Sequence, residues 1–148
     1  MSHSCIFCQI LSGALPGTFI YRVADCAAFM DIKPINPGHV LIVPVQHAAY
    51  LSVINRRTAG RMMELAHSVV AALRASTLRC GGVNLFLADG EVAMQEVFHV
   101  HLHVFPRYVS DGFGLRFGPR YSIQPRDVLE GAAASIRAGW PSAPPALG

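Results

Sequence analysis

The sequence lacks several features that would define its class on their own. No uninterrupted apolar run approaches the roughly 20 residues of a membrane-spanning helix, although 52% of the 148 residues are hydrophobic. Charged residues make up only 14% of the chain, and no Lys/Arg cluster forms the basic stripe typical of nucleic-acid binding. We therefore expect neither a membrane nor a nucleic acid as partner, while the net charge of +3 is compatible with small anionic ligands.

A secretory signal and a disulfide framework are also missing. Residues 1–5 have neither the basic start nor the apolar stretch of a signal peptide, so we expect a cytoplasmic protein. In that compartment the four cysteines are not expected to form disulfides. Cys26 and Cys80 stand alone and are interpreted as small buried hydrophobic residues. Cys5 and Cys8 form a C-x-x-C pair, which lacks the strand–motif–helix context of a thioredoxin-like redox unit.

What is present indicates one α+β domain over residues 1–140. Strands that follow one another through turns, with one long inserted helix and a C-terminal helix, predict an antiparallel sheet. The tail over residues 141–148 is rich in proline, and we expect it to be mobile. The predicted elements are a helix over 5–11 that is capped by Ser4 and closed by Gly13, strands over 18–23, 26–31 and 39–44, a helix over 58–75, strands over 83–87 and 97–106, and a helix over 125–138.

The run from His99 to Phe105 has histidine at every second position. In an extended strand alternate side chains project from the same face, so His99, His101 and His103 would share one surface while the residues between them pack in the core. Imidazole is the side chain that can be nucleophile, acid, base or metal ligand near neutral pH. The alternation therefore predicts a reactive site, in which a histidine acts as nucleophile or two or three of the histidines bind a zinc ion. Hydrogen-bonded or exposed histidines without a chemical role are the remaining alternative.

The same run resembles the His-φ-His-φ-His-φ-φ signature of the histidine triad nucleotide hydrolases and transferases. Further segments in the same order are similar to that family, at residues 5–10, 29–34, 37–44, 84 and 89–95. The resemblance implies a homodimer in which two five-stranded antiparallel sheets join into one. It also implies a hydrolase or transferase that acts on purine nucleoside phosphoramidates or dinucleoside polyphosphates and releases a nucleoside monophosphate.

The resemblance carries individual roles over to this chain. His101 is the implied nucleophile on the α-phosphorus, with its other ring nitrogen held by a backbone carbonyl, and a nucleotidyl-histidine intermediate follows. His103 and Gln95 are the implied phosphate ligands. The implied substrate-binding set is Phe7, Phe29, Asp31, Ile32, Leu41, Asn84, Gln95 and His103, of which Asp31 would accept hydrogen bonds from the ribose; the apolar members also fit a simple core. His39 is interpreted as a hydrogen-bonded scaffold residue.

In the zinc-containing branch of that family two histidines complete the site that the C-x-x-C pair begins. Here they are His47 and His99, which with Cys5 and Cys8 give the closed Cys₂His₂ set of a structural zinc site. Free or oxidised thiols are the alternative. Under this interpretation the reaction itself needs no catalytic metal and no organic cofactor.

Three residues near the implied phosphate site depart from the family pattern, which has Ala-Gly-Gln-Ser or Ala-Gly-Gln-Thr at residues 93–96. Met94 removes the freest backbone position, and Ala88 replaces a polar amide. Glu96 puts a carboxylate where a small hydroxyl contacts phosphate, so we expect it to point away or to serve a cationic leaving group. Met94 and Glu96 indicate one alternative, a nucleotide-binding regulatory module with weak turnover. The other alternative, a catalytic zinc hydrolase, comes from the histidine run itself.

Overall fold

A computed structural model describes residues 5–141 of the chain. They fall into two compact units, of which the first ends at Gly112 and the second begins at Phe113. The single domain expected over residues 1–140 stays a prediction. Apart from Pro141, the tail that we expect to be mobile lies outside the described residues. No helix within residues 5–141 is long and apolar enough to cross a membrane.

The first unit is built on a five-stranded antiparallel sheet, which confirms the α+β prediction. Its elements in chain order are α1 (Ile6–Ser12), β1 (Phe19–Arg22), β2 (Cys26–Met30), β3 (Val40–Pro44), α2 (Arg56–Ala75), β4 (Gly82–Leu87) and β5 (Leu102–Arg107). The strands lie in the order β1-β2-β3-β5-β4, and every neighbouring pair is antiparallel. The long helix is thus inserted between β3 and β4, as the sequence indicates.

Helix α2 covers one face of the sheet. The side chain of Asn55 caps it by accepting the backbone N–H of Arg57 at 2.8 Å, and the helix therefore begins two residues before the predicted start. Its predicted apolar stripe is buried against residues of β2, β3 and β5. The buried members are Met62, Leu65, Ala66, Val69 and Leu73, and Val70 packs beside them.

Helix α1 packs on the opposite face of the sheet. It begins after Cys5, which is its N-cap residue, whereas the predicted cap lies outside the described residues. Gly13 ends it at φ +82°, a left-handed conformation that glycine adopts without strain. Phe7 and Leu11 project from α1 onto the sheet. This face therefore combines a small core with the N-terminal cysteines.

The predicted start of the histidine strand is wrong. β5 begins at Leu102, so only the last of the three histidines lies within it. Pro44 has no N–H with which to continue the β3–β5 ladder, and the N–H of Val100 donates instead to the carbonyl of Ala48 at 2.8 Å. Residues 97–99 form a bend, in which the N–H of His99 donates to the carbonyl of Val97 at 2.8 Å. The three imidazoles are therefore held in three different backbone settings.

The carboxylate of Asp111 is the centre of a polar network beyond the end of β5. Its side chain is only 4% exposed, and it accepts from Nε and Nη2 of Arg107 at 2.7 and 2.8 Å. It also accepts from Nδ2 of Asn36 at 2.8 Å and from the N–H of Tyr108 at 3.1 Å. The network thereby ties the turn before β3 to the end of β5.

We expect Asp111→Ala to lower the free energy of unfolding by about 2–3 kcal/mol, because the buried amide of Asn36 loses a charged acceptor. Urea denaturation of both proteins measures the difference. The matched control is Glu64→Ala on α2, where the ion pair with Arg61 is exposed and no measurable change is expected. Equal stability of the two variants would show that the network contributes nothing.

The second unit, described as far as Pro141, contains α3 (Arg126–Ala138), which begins one residue after the predicted start because Pro125 is its N-cap residue. None of the residues of α3 is buried.

Candidate functional site

Two cysteines and two histidines from distant parts of the chain meet beside α1. Sγ of Cys5 lies 3.4 Å from Nδ1 of His99, and Sγ of Cys8 lies 3.4 Å from Nδ1 of His47 and 3.7 Å from Nδ1 of His99. The ligand atoms of all four residues lie within 4.8 Å of one another. The structure thus brings together the complete set that the sequence predicts for zinc.

The proton on His99 is placed as a metal ligand requires. Its Nε2 lies 2.8 Å from the carbonyl oxygen of Pro44, which can only accept, so Nε2 carries the proton and the lone pair of Nδ1 faces the two sulfurs. Burial lowers the pKa of His99 and keeps the ring neutral. Two thiols and two imidazoles around one point are the donor set that Zn²⁺ prefers.

His101 has the opposite arrangement of proton and lone pair. Its Nδ1 donates to the carbonyl of His99 at 2.7 Å, which leaves the lone pair on Nε2. This Nε2 has no hydrogen-bond partner among residues 5–141. Every buried side-chain nitrogen or oxygen in that range does have a partner, so this Nε2 is not buried. Nε2 of His101 therefore reaches solvent, where its lone pair could act as a nucleophile.

The ring of His101 is held between two aromatic neighbours. It meets the ring of Phe7 edge-on, with centroids 5.2 Å apart, and the ring of His103 with centroids 4.8 Å apart. His101 and His103 therefore border the same space.

His103 is hydrogen bonded to His39, which the sequence analysis leaves outside the site. Nε2 of His39 lies 2.9 Å from Nδ1 of His103, and Nδ1 of His39 accepts the N–H of Ile35 at 3.1 Å. His39 is only 1% exposed. Because Leu41 is the partner of His103 in the β3–β5 ladder, the residue two positions before Leu41 lies on the face that carries His103. That spacing is the signal that could have identified His39.

The amide of Gln95 is fully used by bonds to its own loop and to the segment that follows β3. Its Oε1 accepts the N–H of Gly90 at 2.7 Å, and its Nε2 donates to the carbonyls of Ala49 at 2.7 Å and Val97 at 3.2 Å. Both hydrogens of Nε2 thus have acceptors already. Gln95 therefore holds its loop beside the histidines. A bond from Gln95 to phosphate stays a prediction, and it would have to replace one of these contacts.

The three residues that depart from the family pattern near Gln95 have different environments. Met94 adopts φ +71° and ψ +29°, the left-handed conformation for which glycine is suited. Glu96 is exposed and makes no hydrogen bond or ion pair with any other residue of the range 5–141. Ala88 is buried, at 2% exposure. Of the three, Met94 is the residue whose backbone is strained.

We expect Met94→Gly to raise the free energy of unfolding by about 1 kcal/mol, because a left-handed non-glycine residue costs roughly 1–2 kcal/mol. Thermal and urea denaturation measure the change. Val92→Gly, in the same turn but without a positive φ, is the control and should be destabilising. A loss of stability in both variants would contradict the proposed strain.

Three of the residues predicted to bind the nucleoside lie together. Phe7, Phe29 and Leu41 belong to one buried cluster, in which the rings of Phe7 and Phe29 meet edge-on with centroids 5.7 Å apart. Since Phe7 also contacts His101, this cluster borders the nucleophile. Its members serve as core whether or not they contact a base.

The other three lie in different surroundings. Ile32 is 92% exposed. The carboxylate of Asp31 accepts the N–H of Lys33 at 2.8 Å and lies 3.6 Å from Nδ1 of His39. Oδ1 of Asn84 accepts from Nη1 of Arg107 at 2.7 Å, within the network around Asp111. Asp31 is therefore connected to the histidines, whereas Asn84 contacts the end of β5.

Comparison with known proteins shows similarity to one family, both in a family model and in individual relatives. The family model described as HIT domain matches residues 12–110. The adenosine 5′-monophosphoramidase of Schizosaccharomyces pombe is 32% identical over 126 residues, which cover 84% of this chain and 90% of that protein.

Solved structures resemble this chain over nearly its whole length. A HIT family protein from Bacillus anthracis superimposes with a TM-score of 0.87 at 29% identity, covering 95% of this chain and 100% of that one. A zinc-bound histidine triad family protein from Mycobacterium smegmatis does so with a TM-score of 0.72 at 33% identity, covering 93% and 98%.

Proposed function

The chain belongs to the HIT domain family, and from this premise we propose that it cleaves purine nucleoside phosphoramidates or dinucleoside polyphosphates at the α-phosphate. The observation that carries the proposal is the state of His101. Its Nδ1 proton is held by the carbonyl of His99, and its Nε2 lone pair is accessible. The name of the fission-yeast relative, a monophosphoramidase, supports the phosphoramidate class.

The reaction proceeds through two displacements at phosphorus. Nε2 of His101 attacks the α-phosphorus, the bond from phosphorus to the leaving group breaks, and the leaving group departs with a proton from solvent. The carbonyl of His99 stabilises the charge that develops on the imidazole. Water then attacks the same phosphorus and gives up a proton to solvent, the P–Nε2 bond breaks, and the nucleoside monophosphate is released from a neutral His101.

Zinc has a structural role in this proposal. Cys5, Cys8, His47 and His99 would hold it, and the bound ion would tie the start of α1 to the bend before β5. Four protein ligands close a tetrahedral site and leave no position for a catalytic water. We therefore favour nucleophilic catalysis by His101 over a zinc hydrolase.

The proposal includes a homodimer and a cytoplasmic location. β4 lies at one edge of the sheet, so its outer side is available to pair with β4 of a second copy. None of the four cysteines, all of which lie within residues 5–141, forms a disulfide, and this is compatible with a reducing compartment such as the cytoplasm.

An assay of AMP release tests this function. The protein is mixed with adenosine phosphoramidate or a diadenosine polyphosphate, AMP is followed by chromatography, and rapidly quenched samples are examined by intact mass. We expect AMP from at least one substrate and a transient nucleotidyl adduct. AMP binding without AMP release from either substrate would contradict a hydrolase and support a regulatory module.

A further inference from the structure

Two hydrogen bonds determine where His39 and His103 carry their protons. A backbone N–H is always a donor, so the contact from Ile35 at 3.1 Å requires a lone pair on Nδ1 of His39. The proton of a neutral His39 is then on Nε2, which lies 2.9 Å from Nδ1 of His103. Nδ1 of His103 must accept, and the single proton of His103 is therefore on Nε2.

This reasoning requires both rings to be neutral, and their surroundings favour that state. Burial lowers the pKa of His39, and burial together with neighbouring His101 and His39 lowers the pKa of His103 to about 4. The carboxylate of Asp31, 3.6 Å from Nδ1 of His39, acts in the opposite direction. A proton on that Nδ1 would, however, face the N–H of Ile35, so that two donors would oppose each other.

His101 and His103 consequently present different groups to the space they share. His101 presents the lone pair of Nε2, and His103 presents an Nε2–H. His103 likewise has no partner for its Nε2 within residues 5–141. One group can attack phosphorus while the other donates to a non-bridging oxygen of the same phosphate.

We propose that His39 is a positioning residue that holds His103 in the Nε2–H tautomer, so that His103 donates to the phosphate which His101 attacks. Without His39, Nδ1 of His103 loses its donor and both tautomers of the ring become available. A ring with its proton on Nδ1 would direct the Nε2 lone pair at an anion, which is repulsive. The phosphate in this proposal rests on the proposed function, whereas the tautomer of His103 does not.

Two variants of His39 test whether the hydrogen-bond donor to His103, rather than the bulk of the side chain, is what matters. In His39→Gln the amide NH₂ can reach Nδ1 of His103, and the amide oxygen can still accept from the N–H of Ile35. His39→Leu has neither group. His67→Leu, on an exposed position of α2, is the control for loss of a histidine.

Nitrogen-15 NMR of the histidine rings at neutral pH reads the tautomers directly. We expect His103 of the unmodified protein and of His39→Gln to show a protonated Nε2 and an unprotonated Nδ1. In His39→Leu both signals should move towards averaged values. We also expect His39→Leu to bind AMP about tenfold more weakly, the effect of one lost hydrogen bond to a charged group, while His39→Gln recovers most of the affinity.

A protonated Nδ1 on His103 in the unmodified protein would overturn the proposal, and that spectrum needs no variant to fold. Unchanged His103 signals in a folded His39→Leu would overturn it as well. If the tautomers and the AMP affinities behave as expected but no AMP is released from either substrate, the proposed hydrolase fails and the assignment of His39 is supported.

Discussion

His101→Ala is expected to slow AMP release by about 10⁴-fold or more while AMP binding stays within about threefold of the unmodified protein. The reason is that the histidines of the run are not interchangeable. The free nitrogen of His99 faces the cysteine sulfurs, and the accessible nitrogen of His103 carries a proton. Among these three, only His101 presents a lone pair to the space that it shares with His103, where the proposed phosphate would lie.

Steady-state assays, AMP titration and rapid-quench mass spectrometry measure the three consequences of this substitution. The adduct seen with the unmodified protein should be absent from His101→Ala. His67→Ala, which removes an exposed histidine from α2, should retain full activity. Turnover that persists in a correctly folded His101→Ala would exclude the nucleotidyl-histidine route.

Cys8→Ala is expected to abolish stoichiometric zinc binding and to lower the melting temperature by about 10 °C, because binding to the folded state alone stabilises by several kcal/mol. Cys8 is 3% exposed, and its sulfur contacts both histidines of the cluster. Removing it leaves two imidazoles and one thiol, which no longer close a tetrahedral site.

Elemental analysis and thermal denaturation measure these effects, with Cys80→Ala as the control. Cys80 is a partly buried free cysteine outside the cluster, so its loss should leave the zinc content unchanged. A strong chelator should reproduce the Cys8→Ala result in the unmodified protein. Activity that disappears on chelation while the melting temperature holds would instead indicate a catalytic zinc.

Elements with a strong local pattern agree between sequence and structure. The apolar stripe of α2 recurs with the helical period, and its five buried residues were identifiable from that period alone. Glycine at position 13 likewise marks the end of α1, since the chain there needs a positive φ. The start of β5 could not be read locally, because it depends on Pro44 and on the bond from Val100 to Ala48.

For the candidate site, too, one part could be predicted from the sequence and another part depends on the tertiary structure. The sequence by itself determined which residue types are available: three alternating histidines, a C-x-x-C pair, and the resemblance that links them to His47 and Gln95. The tertiary structure decided what each nitrogen can do, because proton positions depend on partners far away in the chain. His99 contacts Cys5 across 94 positions, and His103 contacts His39 across 64. A sequence pattern contains the residues of such pairs, but the hydrogen bond that places a proton exists only once the sheet has brought them together.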